Sequence, residues 1–113
     1  MTIHIIDSNI SRDQLKRIAK ETFETMVKAV VDVEKGILAV GGELHVDANA
    51  ELLKLGSRQA DLWGINLYPD KTKSWIEYIS LINIRPGAGN PSMTIRDPKL
   101  RKRIASIVEG LVD

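Results

Sequence analysis

Histidine and carboxylate side chains occur together in the segment Gly41-Gly42-Glu43-Leu44-His45-Val46-Asp47. If this segment is a β-strand, alternation places Glu43, His45 and Asp47 on the same face. A histidine beside a carboxylate can act as an oriented general base or as a metal ligand. The outer two side chains would stand about 13 Å apart, so the three cannot share one ion. We take Glu43, His45 and Asp47 as candidate catalytic residues and expect no metal; an exposed strand face is the structural alternative.

A second group of polar residues lies between Ser80 and Asn90. Asn83 and Arg85 share a face by alternation, and Arg85 leads into a glycine-rich loop whose N–H groups could hold an anion. Arg96 and the start of the last predicted helix would add positive potential. The loop matches neither the phosphate-loop nor the dinucleotide pattern, so an ordinary turn is the alternative.

Trp63 and Asn66 belong to a predicted strand in which Gly64 directly follows the tryptophan. Trp63 could form the floor of a pocket or anchor a partner, or it could simply belong to the core. The predicted ligand-binding residues are Trp63, Asn66, Asn83 and Arg85.

The composition limits the classes of function. The chain has 113 residues and a net charge of +1, with 43% hydrophobic and 27% charged residues, which predicts a single globular domain over residues 1–113. There are no cysteines, which excludes disulfides and thiol catalysis and favours a cytoplasmic location. No apolar run reaches the roughly 18 residues of a membrane span. The small net charge does not favour a nucleic-acid or membrane-surface binder.

Hydrophobic periodicity in the first half predicts strands at residues 2–6, 27–34 and 37–47. A helix begins at Ser11, which forms a capping box with Gln14, and its apolar stripe runs to Met26. Lys35-Gly36 supplies a tight turn between the second and third strands. The Gly41-Gly42 pair interrupts the third strand and indicates either a bulge or a place where something approaches the backbone closely.

The second half predicts a short helix at residues 49–55, closed by Gly56, and strands at residues 62–68 and 75–85. The last strand has bulky residues on both faces, so we place it centrally. Asp97 and Pro98 start a final amphipathic helix. We therefore expect an α+β fold: an antiparallel or mixed sheet of four to five strands, packed on one face against N- and C-terminal amphipathic helices.

Several separated motifs occur along the chain: Gly41-Gly42-Glu43-Leu44-His45-x-Asp47, Gly56-Ser57-x-Gln59-x-Asp61-Leu62-Trp63-Gly64, Tyr68-Pro69, Ser80-Leu81-Ile82-Asn83-Ile84-Arg85-Pro86 and Asp97-Pro98. Together they resemble an uncharacterised family of short prokaryotic proteins. The resemblance covers nearly the whole chain and implies a stand-alone prokaryotic protein with a domain of unknown function. It implies no activity, substrate or cofactor.

The leading hypothesis for function is a small cytosolic binding domain that uses a polar sheet face. Its residues would be Glu43, His45, Asp47, Asn83 and Arg85.

The alternative is a small hydrolase-like enzyme with His45 as general base or metal ligand. A second alternative is weak anion or nucleic-acid binding through Arg85, Arg96 and the basic last helix. The expected partners are a small or anionic ligand and a second copy of the chain as a homodimer. We expect no cofactor.

Overall fold

The computed structural model describes residues 2–113, which form a five-stranded antiparallel sheet and three α-helices. The strand order is β1-β3-β2-β4-β5. This arrangement confirms the predicted α+β fold. None of the helices formed by these residues is long and apolar enough to cross a bilayer. The elements are β1 (Ile3–Ile6), α1 (Arg12–Ala19), β2 (Val27–Asp32), β3 (Ile37–Gly41), α2 (His45–Lys54), β4 (Leu62–Leu67), β5 (Ile76–Glu77) and α3 (Pro98–Leu111).

The N- and C-terminal helices α1 and α3 pack on the same face of the sheet, as expected, but α2 covers the other face, so the expectation of helices on one face only is wrong. Leu15 of α1 and Ile104 of α3 belong to the larger core on one face. On the other face, Leu52 of α2 packs with Val30 and Ala39 in a smaller core. The interior strands β2, β3 and β4 are apolar along most of their length because both of their faces are covered.

The start of α1 agrees with the sequence, but its end does not. Ser11 Oγ accepts a hydrogen bond from the Gln14 N–H at 3.1 Å, and the Gln14 side chain accepts one from the Ser11 N–H at 2.8 Å. The helix ends at Ala19 instead of running to Met26. Glu24 adopts a φ of 70°, which lets the chain reverse into β2. Phe23 is therefore 38% exposed rather than part of the core.

The predicted strand at residues 37–47 is wrong beyond Gly41. Gly41 and Gly42 have φ values of 112° and 79°, which a residue with a Cβ rarely adopts, so they end the strand instead of forming a bulge. A Cβ on Gly41 would also stand 2.7 Å from the Thr2 carbonyl oxygen. The chain then starts α2 at His45, four residues earlier than the predicted helix.

The segment at residues 75–85 is not a central strand. Only Ile76–Glu77 pairs with β4, and β5 lies at the edge of the sheet. After β5 the chain crosses the α2 face and forms a short 3₁₀ turn at Leu81–Asn83. Two of its apolar residues are half-buried, since Tyr78 packs against the larger core and Ile82 against the smaller one, whereas Leu81 and Ile84 are exposed.

Other local predictions are confirmed. Gly36 and Gly56 adopt left-handed backbone angles at the turn after β2 and at the end of α2. Asp97 caps α3 by accepting a hydrogen bond from the Lys99 N–H at 2.9 Å. Pro98 occupies the first turn of that helix, as the sequence indicates.

Candidate functional site

A cavity of about 360 Å³ lies on the α2 face of the sheet, and we call it the His45 cavity. It is bounded by the start of α2, by β2 and β4, and by the segment that follows β5. Buried or half-buried polar residues form its floor, and large apolar side chains with 40% to 70% exposure surround it. The floor residues are Lys28, His45 and Asn66; the surrounding residues are Leu44, Val46, Leu81 and Met93.

His45 is held by a backbone carbonyl. Its Nε2 lies 2.8 Å from the Ile65 carbonyl oxygen. A carbonyl only accepts hydrogen bonds, so Nε2 carries the hydrogen and Nδ1 carries the lone pair in the neutral ring. Burial lowers the pKa of His45, and the Ile65 carbonyl, which accepts its hydrogen bond, partly opposes this, while the charge of Lys28 lowers the pKa further. His45 is therefore a neutral, oriented imidazole near pH 7.

Asn66 is fixed by its amide nitrogen and leaves its oxygen unpaired. Nδ2 donates to Glu77 Oε1 at 2.8 Å and also lies 3.4 Å from the Ile79 carbonyl oxygen. These two acceptors determine the orientation of the amide. The Oδ1 atom is buried and has no hydrogen-bond partner within residues 2–113. A buried unpaired acceptor costs about 1–3 kcal/mol.

Lys28 lies opposite Asn66 in the β2–β4 register. Its side chain is half-buried. In the part of the chain that the structure describes, Lys28 forms no salt bridge. Its ammonium stands 5.2 Å from the centre of the Phe23 ring. Lys28 thus lines the cavity as a cation that has no carboxylate partner among residues 2–113.

The three candidate catalytic residues do not share a face. Glu43 and Asp47 are exposed near the start of α2 and do not line the cavity, whereas His45 is 9% exposed and points into it. The carbonyl of Ile65, not Asp47, orients the imidazole. His45 and Asp47 differ because residues two apart on a helix point in different directions, and Glu43 precedes the helix.

Asn83 ties the segment after β5 to the sheet. Its side chain is fully buried. Oδ1 accepts from the Gly64 N–H at 2.8 Å, and Nδ2 donates to the carbonyls of Gly64 and Met93 at 2.9 Å and 3.1 Å. The side chain therefore replaces a missing strand partner for β4, and it does not line the cavity.

Arg85 and Trp63 form a second internal contact. The guanidinium stands 4.2 Å from the centre of the Trp63 ring. It also donates to the carbonyls of Ile82 and Leu62. Burial lowers the pKa of Arg85. Trp63 is 7% exposed and belongs to the larger core, so neither residue opens onto the His45 cavity.

The basic residues near the C-terminus are divided between internal contacts and solvent. Arg101 donates to the Ile95 carbonyl at 2.6 Å, and Arg103 donates to the Val33 carbonyl at 2.6 Å. Arg96 is exposed, and so are Lys99 and Lys102. These residues lie outside the His45 cavity.

Comparison with known families gives one result. A family model described as "Protein of unknown function (DUF5674)" matches residues 4–111. The chain belongs to this family. No curated protein and no solved structure matches it. Membership of the DUF5674 family confirms the expectation of a domain of unknown function that spans nearly the whole chain.

A larger cleft of about 580 Å³ in this DUF5674 chain lies between β5 and α3. Two of its charged groups, Glu77 and Arg101, are already engaged within the protein. Glu77 accepts hydrogen bonds from Asn66 and from the Tyr68 hydroxyl, and Arg101 stacks on Tyr78 at 4.7 Å. No group of three or more metal-ligating side chains occurs within residues 2–113. The His45 cavity is the better candidate site because two of its polar groups, the Lys28 ammonium and Asn66 Oδ1, have respectively no salt bridge and no hydrogen-bond partner among residues 2–113.

Sequence reasoning identified His45 and Asn66 but missed Lys28 and the apolar residues around the cavity. Lys28 could have been found, because it is the single charged side chain among the first five residues of an otherwise apolar strand. Leu81 and Met93 carry no such signal, since their exposure results from how distant segments pack.

Proposed function

We propose that this protein binds a small ligand with an apolar body in the His45 cavity. The proposal rests on one observation: at this cavity the apolar side chains are exposed and the polar ones are buried or half-buried, the opposite of an ordinary protein surface. Exposed apolar side chains surround a floor of polar ones, with Leu81 at 70%, Leu44 at 56% and Val46 at 53% exposure. Contiguous exposed apolar residues around a concavity are typical of binding sites.

The dimensions support a small ligand. Binding cavities for small molecules usually measure about 300–1,000 Å³, and this one measures about 360 Å³. Its walls come from segments far apart in the sequence, including the start of α2 and the region around Met93. His45 and Asn66 would contact the ligand, whereas Asn83, Arg85 and Trp63 would support the surrounding structure.

One observation favours the alternative of a hydrolase-like enzyme, namely the unprotonated Nδ1 of His45. Ser80 also lines the cavity, and its Oγ accepts a hydrogen bond from the Ile82 N–H at 3.3 Å. Hydrolysis of p-nitrophenyl butyrate tests this alternative. We expect no rate above buffer; a rate that the His45→Gln variant loses would favour the enzyme.

The proposal includes a cytoplasmic location, which the absence of cysteine supports. It also includes a prokaryotic origin, which only the motif resemblance supports.

A homodimer and weak binding of nucleic acid by the basic last helix stay as hypotheses. Sedimentation and salt-dependent binding measurements test them respectively.

Titration with octanol, followed by amide NMR spectra, tests the proposed cavity. We expect the largest changes in amide chemical shift at residues 44–46 and 79–81. Leu81→Asn should weaken binding because it removes an apolar wall. Leu55→Asn is the matched control, since Leu55 is 55% exposed but lies outside the cavity. The proposal fails if octanol causes no saturable shifts, or if the two variants weaken binding equally.

A further inference from the structure

We infer that the ligand of the His45 cavity is an amphipathic monocarboxylate, whose anionic end meets Lys28 and whose hydrocarbon body lies among Leu44, Val46, Leu81 and Met93. This inference rests on the proposed function and specifies the chemistry of the ligand. It depends on which donors and acceptors the cavity floor leaves free.

Lys28 provides the positive charge. It projects from β2 on the face that α2 covers, beside Asn66, and it is half-buried. Several other basic residues have an acidic neighbour, such as Lys16 with Asp70 at 3.5 Å and Lys54 with Glu51 at 3.5 Å. Among residues 2–113 no such neighbour is found for Lys28. A partly desolvated cation without a counter-ion favours an anion as its partner.

Two further groups define the polar end of the cavity. Ser80 is 3% exposed and lines the cavity. Its Oγ accepts from the Ile82 N–H, which leaves the hydroxyl hydrogen free to donate to a ligand oxygen. The neutral imidazole of His45 adds no second positive charge. Lys28 is therefore the group on which recognition of an anion depends.

The acidic residues nearby form no salt bridge with Lys28 among residues 2–113. Glu43 and Asp47 are exposed and lie outside the cavity lining. Glu77 lies on the same face of the sheet beyond Asn66, and its Oε1 already accepts hydrogen bonds from Asn66 and Tyr68. The cavity thus combines an apolar wall with one cation that has no salt-bridge partner among the described residues, which suits a carboxylate on a hydrocarbon chain.

Calorimetric titration with octanoate, octanol and octylamine tests the inference on the full chain. A charge-assisted hydrogen bond favours octanoate over octanol by about tenfold in dissociation constant. We expect octylamine to bind more weakly than octanol because Lys28 repels it. Equal affinities for octanoate and octanol would overturn the inference.

Two substitutions at Lys28 separate charge from packing. Lys28→Met keeps the length of the side chain and should reduce octanoate binding to the level of octanol. Lys28→Arg keeps the charge and should preserve the preference for octanoate. If Lys28→Met preserves it as well, another group recognises the anion and the inference is wrong.

The titrations distinguish a failure of this inference from a failure of the proposed function. If none of the three probes binds the wild-type protein, the cavity is not a binding site. If octanol binds but octanoate has no advantage, the cavity binds apolar ligands and only the carboxylate assignment is lost.

Discussion

Helices α1 and α3 cover one face of the sheet with a continuous apolar core, whereas α2 covers only part of the other face. Leu15 and Ile104 are fully buried on the first face. On the second face, Leu52 is fully buried within α2, but Leu44 and Val46 at the start of that helix are exposed. The second face therefore combines a smaller core with an open cavity. From this difference we expect the first face to contribute most of the stability, whereas the second face has an open cavity.

The largest expected effect is on stability, from a substitution on the face of the sheet that α1 and α3 cover. Leu15→Ala removes a fully buried side chain from the larger core and should lower the free energy of unfolding by about 2–5 kcal/mol. Urea denaturation measures this change. A loss below about 1 kcal/mol would mean that the α1 contact is not part of a closed core, and the contrast between the two faces would weaken.

Asn83→Ala should have the next largest effect, because it leaves the buried N–H and carbonyl of Gly64 without their partner. We expect a loss of about 2–3 kcal/mol. Hydrogen exchange should also show faster exchange of the Gly64 amide. Full stability together with loss of octanol binding would contradict the structural role of Asn83 and would indicate that Asn83 contacts the ligand.

The pH dependence of stability reports on His45. Its pKa is lowered in the folded state from 6.5, so the unfolded chain binds more protons just below that pH. The His45 contribution is therefore fully present above pH 6.5 and decreases as the pH falls below it, by at most about 1.4 kcal/mol per pH unit. Denaturation of the wild-type protein and of His45→Gln between about pH 5 and pH 7.5 should show a shallower slope for the variant. Equal slopes would show that His45 is not a buried neutral group.

The smallest expected effect on stability comes from a substitution on the face of the sheet that α2 covers only in part. Leu81 is 70% exposed, so Leu81→Asn should change the free energy of unfolding by less than about 0.5 kcal/mol. Thermal denaturation of this variant beside Leu55→Asn provides the comparison. A large loss for Leu81→Asn alone would mean that the residue supports the fold, and its use as a binding probe would then be invalid.

Much of the fold could be predicted from local sequence signals. The capping box at Ser11, the Asp97-Pro98 start of α3 and the turn at Gly36 are determined by neighbouring residues, and all three are confirmed. The segment after Gly41 was mispredicted because Leu44 and Val46 alternate like strand residues. The buried residues there follow helical spacing instead: His45, Ala48, Asn49 and Leu52.

The site was only partly predictable. A polar side chain in an apolar segment looks the same in the sequence whether it contacts a ligand or holds a loop against the sheet. Asn83 and Arg85 do the latter, whereas Asn66 opens onto the cavity. The exposure of Leu81 and Met93 depends on where the segment after β5 crosses the sheet, which periodicity alone does not determine.

Intermolecular NOEs between bound octanoate and the protein methyl groups test the central claim most directly. The account predicts contacts from the hydrocarbon chain to Leu44, Val46, Leu81 and Met93, with the carboxylate end nearest Lys28. Contacts to Tyr68 and Trp75 in the larger cleft instead, or the absence of any saturable contact, would contradict it.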